Sequence, residues 1–258
     1  MGSARADQDP LTTPVTRQTQ AGPITLDPIP APDLSRAEAS VQKRLQEARA
    51  NLADTLSQAL VPPGVPDPDL AAAYGQTGGY YLAYKLWEAA QSCYANAERL
   101  DPKDPRWPYH LGYRYQQDVQ PELAAAAFRR ALTLDPGLAV ARLRLGLVAL
   151  DLDRLDEATA LLTTAATDPG LRGAALWGLG RAAQARQDPA AAVPLFEQAL
   201  VEDPQASQIH YALAMAHRSL GKIDQAKAHL AQRGDGEPRI RDPWVDDLAQ
   251  LLSGARTL

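Results

Sequence analysis

An all-α solenoid of stacked helix pairs is the fold this sequence predicts, and three observations carry the prediction. Hydrophobic residues make up 45% of the 258 positions but aromatics only 6%, so alanine and leucine carry the apolar load. That composition suits close helix-on-helix packing better than a sheet sandwich. A frame of 34 residues recurs five times without insertion or deletion, at 71–104, 105–138, 139–172, 173–206 and 207–240. Self-similarity at such a period is the signature of stacked supersecondary units. Each frame also divides into two amphipathic stretches, with a proline near its end.

The frames align place by place. The eighth place holds Gly78, Gly112, Gly146, Gly180 and Ala214, and the seventh Thr77, Leu111, Leu145, Leu179 and Leu213. The twentieth holds Ala90, Ala124, Ala158, Ala192 and Ala226, and the twenty-fourth Tyr94, Phe128, Leu162, Phe196 and Leu230. Small residues such as Gly146 and Ala158 let paired helices approach, while Phe128 and Leu145 fill the space beside them. Asp101-Pro102, Asp135-Pro136, Asp168-Pro169 and Asp203-Pro204 stop the second helices, because a residue before proline avoids the helical region. Gly221 ends the first helix of the fifth frame through a left-handed cap.

The unit Leu111-Gly112-x-x-Tyr115, Ala124-x-x-x-Phe128-x-x-Ala131 and Pro136 resembles the tetratricopeptide repeat family. The likeness covers roughly two-thirds of the chain. It implies a right-handed superhelix whose first helices line a concave wall. It also implies the role of a non-catalytic scaffold or adaptor for protein–protein interaction. Departures are Thr77 for the usual Leu, Pro108 for a bulky residue, and Arg233 for a small one. Arg233-Gly234-Asp235-Gly236 predicts a frayed fifth unit.

Four segments flank the repeats. Residues 1–33, rich in Pro, Thr, Asp and Gln, predict a disordered or extended tail, since they bury too little to offset ordering entropy. Residues 34–60 predict an amphipathic helix, opened by a Ser35-x-x-Glu38 capping box and striped by Val41, Leu45, Ala48, Leu52, Leu56 and Leu60. Its stripe is expected either to dock on the solenoid through Tyr80 and Tyr84 or to self-associate. Residues 61–70, with four prolines between Pro62 and Pro68, predict a semi-rigid linker. Residues 241–258 predict a helix led by Trp244, Leu248, Leu251 and Leu252, covering the open end as solenoid caps do.

Helical geometry and the resemblance together place one set of residues on the inner wall. In the second frame these are Arg106, Tyr109, His110, Tyr113, Gln116 and Gln117. The third gives Leu143, Arg144, Leu147 and Asp151, the fourth Trp177, Arg181 and Gln184, and the fifth Gln208, Tyr211, Met215 and Arg218. Tyr, Trp, Arg and Met are enriched at binding surfaces. Four arginines with little acid beside them suggest an extended, acidic or carboxylate-bearing partner. One subgroup of the family clamps a C-terminal carboxylate with recurring Lys and Asn. The ninth places here are Gly79, Tyr113, Leu147, Arg181 and Met215, without Asn, so that adaptor role is not expected.

No enzymatic constellation emerges, and no cofactor or metal is expected. His210 and His217 stand seven residues apart, about 10 Å along a helix and too far for one metal, and His229 adds no ligand by spacing. The single Cys93 excludes an intramolecular disulfide and a cysteine-built metal site. The formal charge of −5 argues against a nucleic-acid partner. No stretch reaches the roughly 18 apolar residues of a membrane span. Met1-Gly2-Ser3 shows no signal peptide and looks like an expression scar. The Pro/Thr-rich tail suggests a spacer, hence a periplasmic or cell-envelope location, with the cytoplasm as alternative. The rival functions are a structural subunit of an envelope polysaccharide or secretion assembly and a small-ligand or glycan binder.

Overall fold

The 34-residue frame is realised as helix pairs. The structure, a computed structural model, describes residues 9–19, 22–60 and 67–253. Helix α2 (Asp67–Ala83) pairs with α3 (Trp87–Leu100) and α6 (Ala139–Asp151) with α7 (Leu155–Ala165), and between them in the chain come α4 (Arg106–Gln117) and α5 (Pro121–Leu134). Then come α8 (Arg172–Ala185) with α9 (Pro189–Glu202) and α10 (Gln208–Ser219) with α11 (Ile223–Leu230). Before them lie a 3-10 turn (Pro10–Thr12), β1 (Val15–Thr19), β2 (Gly22–Leu26) and α1 (Ala39–Ala59); α12 (Pro243–Ser253) follows. The chain forms two compact units, residues 1–118 with 243–258, and residues 119–242.

The small-against-large logic holds in atomic terms. A Cβ on Gly146 would lie 2.8 Å from Leu162, one on Gly180 2.3 Å from the Phe196 ring, and one on Gly78 3.2 Å from Tyr94. In these three pairs the eighth place meets the twenty-fourth. Leu162 and Phe196 are fully buried there, with Ala158 and Ala192. Pro108 is tolerated because it sits in the first turn of α4, where backbone N–H groups have no intrahelical partner.

One turn device recurs in every frame. Lys85, Val119, Asp153, Gln187 and Gly221 all occupy the fifteenth place, with φ of 59°, 55°, 56°, 61° and 73°. The next N–H reaches back five residues, as from Leu86 to Tyr81 (2.8 Å), Arg154 to Ala149 (2.8 Å), Asp188 to Ala183 (3.0 Å) and Lys222 to His217 (2.9 Å). These bonds satisfy helix-end carbonyls in the Schellman manner. A β-branched side chain is the worst tenant of this conformation, so Val119 carries about 1–2 kcal/mol of strain. Val119→Gly is expected to stabilise the protein by about 0.5–1 kcal/mol after glycine's extra chain entropy. Gly221→Ala is expected to cost a similar amount, since a Cβ there meets nothing within 4 Å and only the backbone objects. Thermal melts of the two variants should shift in opposite directions.

The residues preceding α1 are not a disordered tail in the described part. Strands β1 and β2 pair antiparallel from Val15 opposite Leu26 to Thr19 opposite Gly22. Leu11, Leu26 and Ile29 are buried. Three side chains tie the segment down. Arg17 donates to Asp67 Oδ1 (2.9 Å) and to the Ala59 carbonyl (2.6 Å). Asn96 on α3 accepts from the Asp27 N–H (2.7 Å) and donates to the Asp27 carbonyl (2.8 Å), as a strand neighbour would. Arg49 binds Asp9, the Ile29 carbonyl (3.0 Å) and the Tyr81 hydroxyl (2.9 Å). Residues 1–8 lie outside the described residues.

Four further expectations are corrected. The first helix begins at Ala39 with Glu38 as a cap lacking a side-chain bond, because Ser35 and Arg36 form a turn in which the Ser35 N–H donates to Asp33 (2.9 Å). The linker is shorter than 61–70, since α2 starts at Asp67 and Pro68 fits its first turn; residues 61–66 lie outside the described residues. In the third frame Asp168-Pro169 does not itself stop the helix, which ends at Ala165 with Ala166 as cap. Residues 234–236 are laced down rather than frayed. The Gln208 N–H donates to the Gly236 carbonyl (2.9 Å), and the Gly236 N–H to Ser207 Oγ (3.1 Å). Glycine permits this approach, for a Cβ on Gly236 would lie 2.3 Å from the Gln205 carbonyl oxygen.

Helix α1 packs on α2 and buries Leu45, Ala48, Leu52, Leu56 and Ala59, while Leu60 stays exposed. The stripe offered for self-association is therefore covered within the chain. Tyr81, bonded to Arg49, is buried beneath it; Tyr80 lines the cleft between the two helices and, like Tyr84, stays half-buried.

Candidate partner-binding wall

The first helices carry the candidate wall, and the chain's own C-terminal residues cover part of it in each unit. In the first unit α12 packs on α2. It is not a cap on the fifth frame. The Trp244 ring meets Tyr109 edge-on at 4.9 Å between centroids and lies 6.2 Å from His110. Leu248 and Leu251 lie over Gly79, where a Cβ would come within 3.1 and 3.3 Å of them. The side chain of Leu252 lies outside the described residues.

Tyr109 and His110, expected as open contacts, are therefore buried, with His110 also stacked on Tyr94 at 4.9 Å. The signal for this destination was Gly79, a wall place without a side chain, which leaves room for a helix. Arg106 is exposed, bonds Asp104 at 2.5 Å and lies 4.7 Å over the Trp107 ring. Its hydrogen bond to Asp104 raises its pKa further and fixes its charge. Tyr113 is half-buried and Gln117 exposed.

In the second unit residues 236–242, outside any helix or turn, return along α10, α8 and α6. Arg144 on α6 grips Asp242 through Nε (2.9 Å) and Nη2 (2.5 Å), with side chains 8% and 1% exposed. Arg144 is thus a buried structural partner and not an open contact. Leu143 is buried in the core. Beside this pair opens a cleft of about 360 Å³ lined by Leu147, Trp177 and Arg181 on one side and Glu237, Pro238 and Ile240 on the other. Trp177 rests on the buried Phe196 at 5.1 Å, which fixes its ring. Arg181 reaches Asp151 at 3.1 Å. Tyr211 is 54% exposed, Gln184 and Arg218 are exposed, and Met215 is half-buried. Among the expected wall residues, Leu147, Trp177, Arg181 and Gln208 are brought together around this cleft.

Spacing alone missed one cluster. The turn between α10 and α11 brings His229 against both His210 and His217, with Nδ1 of His210 and His229 3.0 Å apart and the His217 and His229 rings stacked at 5.4 Å. The Nδ1 contact between His210 and His229 is a hydrogen bond in which one ring donates and the other accepts, so those two nitrogens are engaged with each other. No group of three or more His, Cys, Asp or Glu among the described residues is placed to hold a metal. Burial, then His210 and His217, lower the His229 pKa below its ordinary 6.5, with Glu197 pulling weakly the other way. The unfolded chain then binds more protons just below pH 6.5, and stability falls as pH drops through that window. Urea midpoints at pH 7.5 and 5.5 should show this loss, and His229→Gln should shrink it. Cys93 is fully buried and its thiol pKa is pushed up by that burial, which leaves it a packed, unreactive residue.

Stacked helix pairs whose seam sets a glycine against a large side chain define a class of repeat scaffold, and comparison specifies it. The chain belongs to the tetratricopeptide repeat family: one tetratricopeptide repeat model matches residues 81–139, 120–172 and 143–207, and another matches 183–241. Among solved structures it is similar to MamA 41-end from Desulfovibrio magneticus RS-1, at 20% identity and a TM-score of 0.59 over 63% of this chain and 92% of that one. It is also similar to PilF of Pseudomonas aeruginosa, at 22% identity and a TM-score of 0.59 over 74% and 88%. A further MamA crystal structure aligns at 19% identity and 0.58 over 63% and 88%. These likenesses show the fold. No curated protein matches the chain. In general terms the protein is an interaction scaffold of this family, and no helix among the described residues is long and apolar enough to cross a membrane.

Proposed function

We propose that the protein is a non-catalytic scaffold that receives an extended, acid-bearing segment of a protein partner along the groove lined by its first helices. One observation carries this: the wall of the second unit already holds an extended stretch of its own chain, with Asp242 gripped by Arg144. The open cleft at Leu147, Trp177 and Arg181 lies beside that stretch, and the exposed Tyr211 and Arg218 are further first-helix residues of the same unit. Aromatic and arginine anchors of this kind dominate binding energy at interfaces. Three of the four expected wall arginines are paired within the chain, Arg106 with Asp104, Arg144 with Asp242 and Arg181 with Asp151, so the acidic preference of the partner rests on the exposed Arg218.

Affinity purification from native lysate with cross-linking and mass spectrometry tests the proposal. The Trp177→Ala/Tyr211→Ala protein should lose the partner captured by the unsubstituted chain while keeping its helical circular dichroism. Unchanged capture would sink the proposal. A glycan or small-ligand binder would instead show quenching of Trp177 fluorescence by short oligosaccharides with no protein co-purifying. A structural subunit of an envelope assembly would be held by its end helices and would ignore both substitutions. The cell-envelope location stands as a proposal tested by fractionation, with the cytoplasm as its alternative. The spacer-like tail no longer supports it, since the described part of that tail is folded.

A further inference from the structure

The geometry points to a proton-operated latch in the second unit: His229, slotted between His210 and His217, holds α11 on α10, and its release in mild acid frees α11 while α5–α9 stay folded.

The latch is a column of three rings. His210 and His217 lie two turns apart on one face of α10, about 10 Å along its axis. The His229 ring sits 5.3 Å from the first and 5.4 Å from the second, so it fills the gap between them. His217, 2% exposed, keeps water from one face of that ring. On the other side a single bond closes the column, with Nδ1 of His210 and His229 3.0 Å apart. A proton on the accepting nitrogen turns both nitrogens into donors and breaks that bond.

Little else holds α11 down. Of its eight residues Ala226 is the buried one, whereas α9 buries Ala192, Phe196 and Ala199. Ile223 is 49% exposed. The twenty-seventh place, a buried alanine in the other four frames, holds the exposed Arg233. Eight residues are also too few for a helix to persist alone in water, so α11 depends on its seat against α10.

The titratable groups that act on His229 from neighbouring helices are His210 and His217 on α10 and Glu197 on α9. Burial and the two histidines disfavour the charged ring. Glu197 favours it, but Glu197 is exposed and water screens it. Once α11 leaves, nothing opposes the charge. Proton uptake below the ordinary pKa of 6.5 therefore favours the open state, and the latch closes again as the pH rises.

Hydrogen exchange of the full chain tests the latch, read by mass spectrometry at pH 7.5 and 5.5 and corrected for the intrinsic rate at each pH. Opening coupled to one proton raises the open population by at most about tenfold per pH unit. Protection of α11 should fall about fivefold or more, and that of α5–α9 less than about twofold. His229→Gln, which removes the proton site, should give α11 the same protection at both pH values. Glu197→Gln should deepen the fall, because it removes the acid that favours the charged ring. An equal fall throughout α5–α11 would show general acid destabilisation and overturn the inference. So would no fall in α11, or an undiminished fall in His229→Gln. Should His229→Gln leave α11 open at both pH values, Glu197→Gln decides: a fall no deeper than in the unsubstituted chain overturns the latch.

Discussion

Asp242→Ala is expected to release the extended segment that crosses the second unit. The substitution leaves the Arg144 guanidinium buried and uncompensated, in a pair whose side chains are 8% and 1% exposed. Removing one partner of a buried ion pair costs about 3–5 kcal/mol. The cost falls first on the segment and not on the repeats, because residues 237–241 can peel away and let water reach Arg144. Trypsin should then cleave after Arg239 and Arg241 about a hundredfold faster or more, following the population of the open form. Arg144→Leu with Asp242→Leu, which removes both charges, should recover much of the loss. Cleavage at the unsubstituted rate in Asp242→Ala would show that the pair does not hold the segment.

Phe196→Ala is expected to produce the largest loss of global stability. The ring is fully buried with Ala192, Ala199, Ile209 and Leu213 around it, and Trp177 packs against it. Truncating such a residue costs about 3–5 kcal/mol. Its pairing with Gly180 makes the prediction sharper. Gly180→Ala alone drives a Cβ to 2.3 Å from the ring and should cost about 1–3 kcal/mol. With Phe196→Ala already present the same methyl enters a cavity, so the double variant should be more stable than the two losses summed. Additive urea midpoints would mean that the glycine–phenylalanine contact is not the seam of the helix pair.

Much of the repeat architecture was legible because its determinants are local and periodic. Gly146 against Leu162 and Gly180 against Phe196 follow from two places of a frame, and Asp135 and Asp203 cap α5 and α9 just ahead of their prolines. The turn was legible only at Gly221. Lys85, Val119, Asp153 and Gln187 adopt the same left-handed backbone without the residue that advertises it, held there by the helix pairing on either side. The hairpin was missed for another reason. Val15–Thr19 and Gly22–Leu26 are too short and polar to announce strands, and their order comes from Arg17, Asn96 and Arg49 reaching residues 20 to 69 positions away.

The candidate wall divides in the same way. Placing Trp177, Arg181 and Leu147 on one face needed only helical periodicity, and they do share a cleft. That Tyr109, His110 and Arg144 would be covered by the chain itself depends on where α12 and Asp242 dock, which no spacing encodes. The histidine cluster needed the pairing of α10 with α11, since His229 is distant in sequence from His210 and His217.

The central claim, that first-helix residues and not the outer helices meet the partner, is tested most directly by site-specific photo-crosslinking. Benzoylphenylalanine is placed at Tyr211 on α10, 54% exposed, or at Val201 on α9, 80% exposed, and the partner is captured in native lysate. The account predicts a partner adduct from position 211 and none from position 201. An adduct from 201 with none from 211 would contradict it.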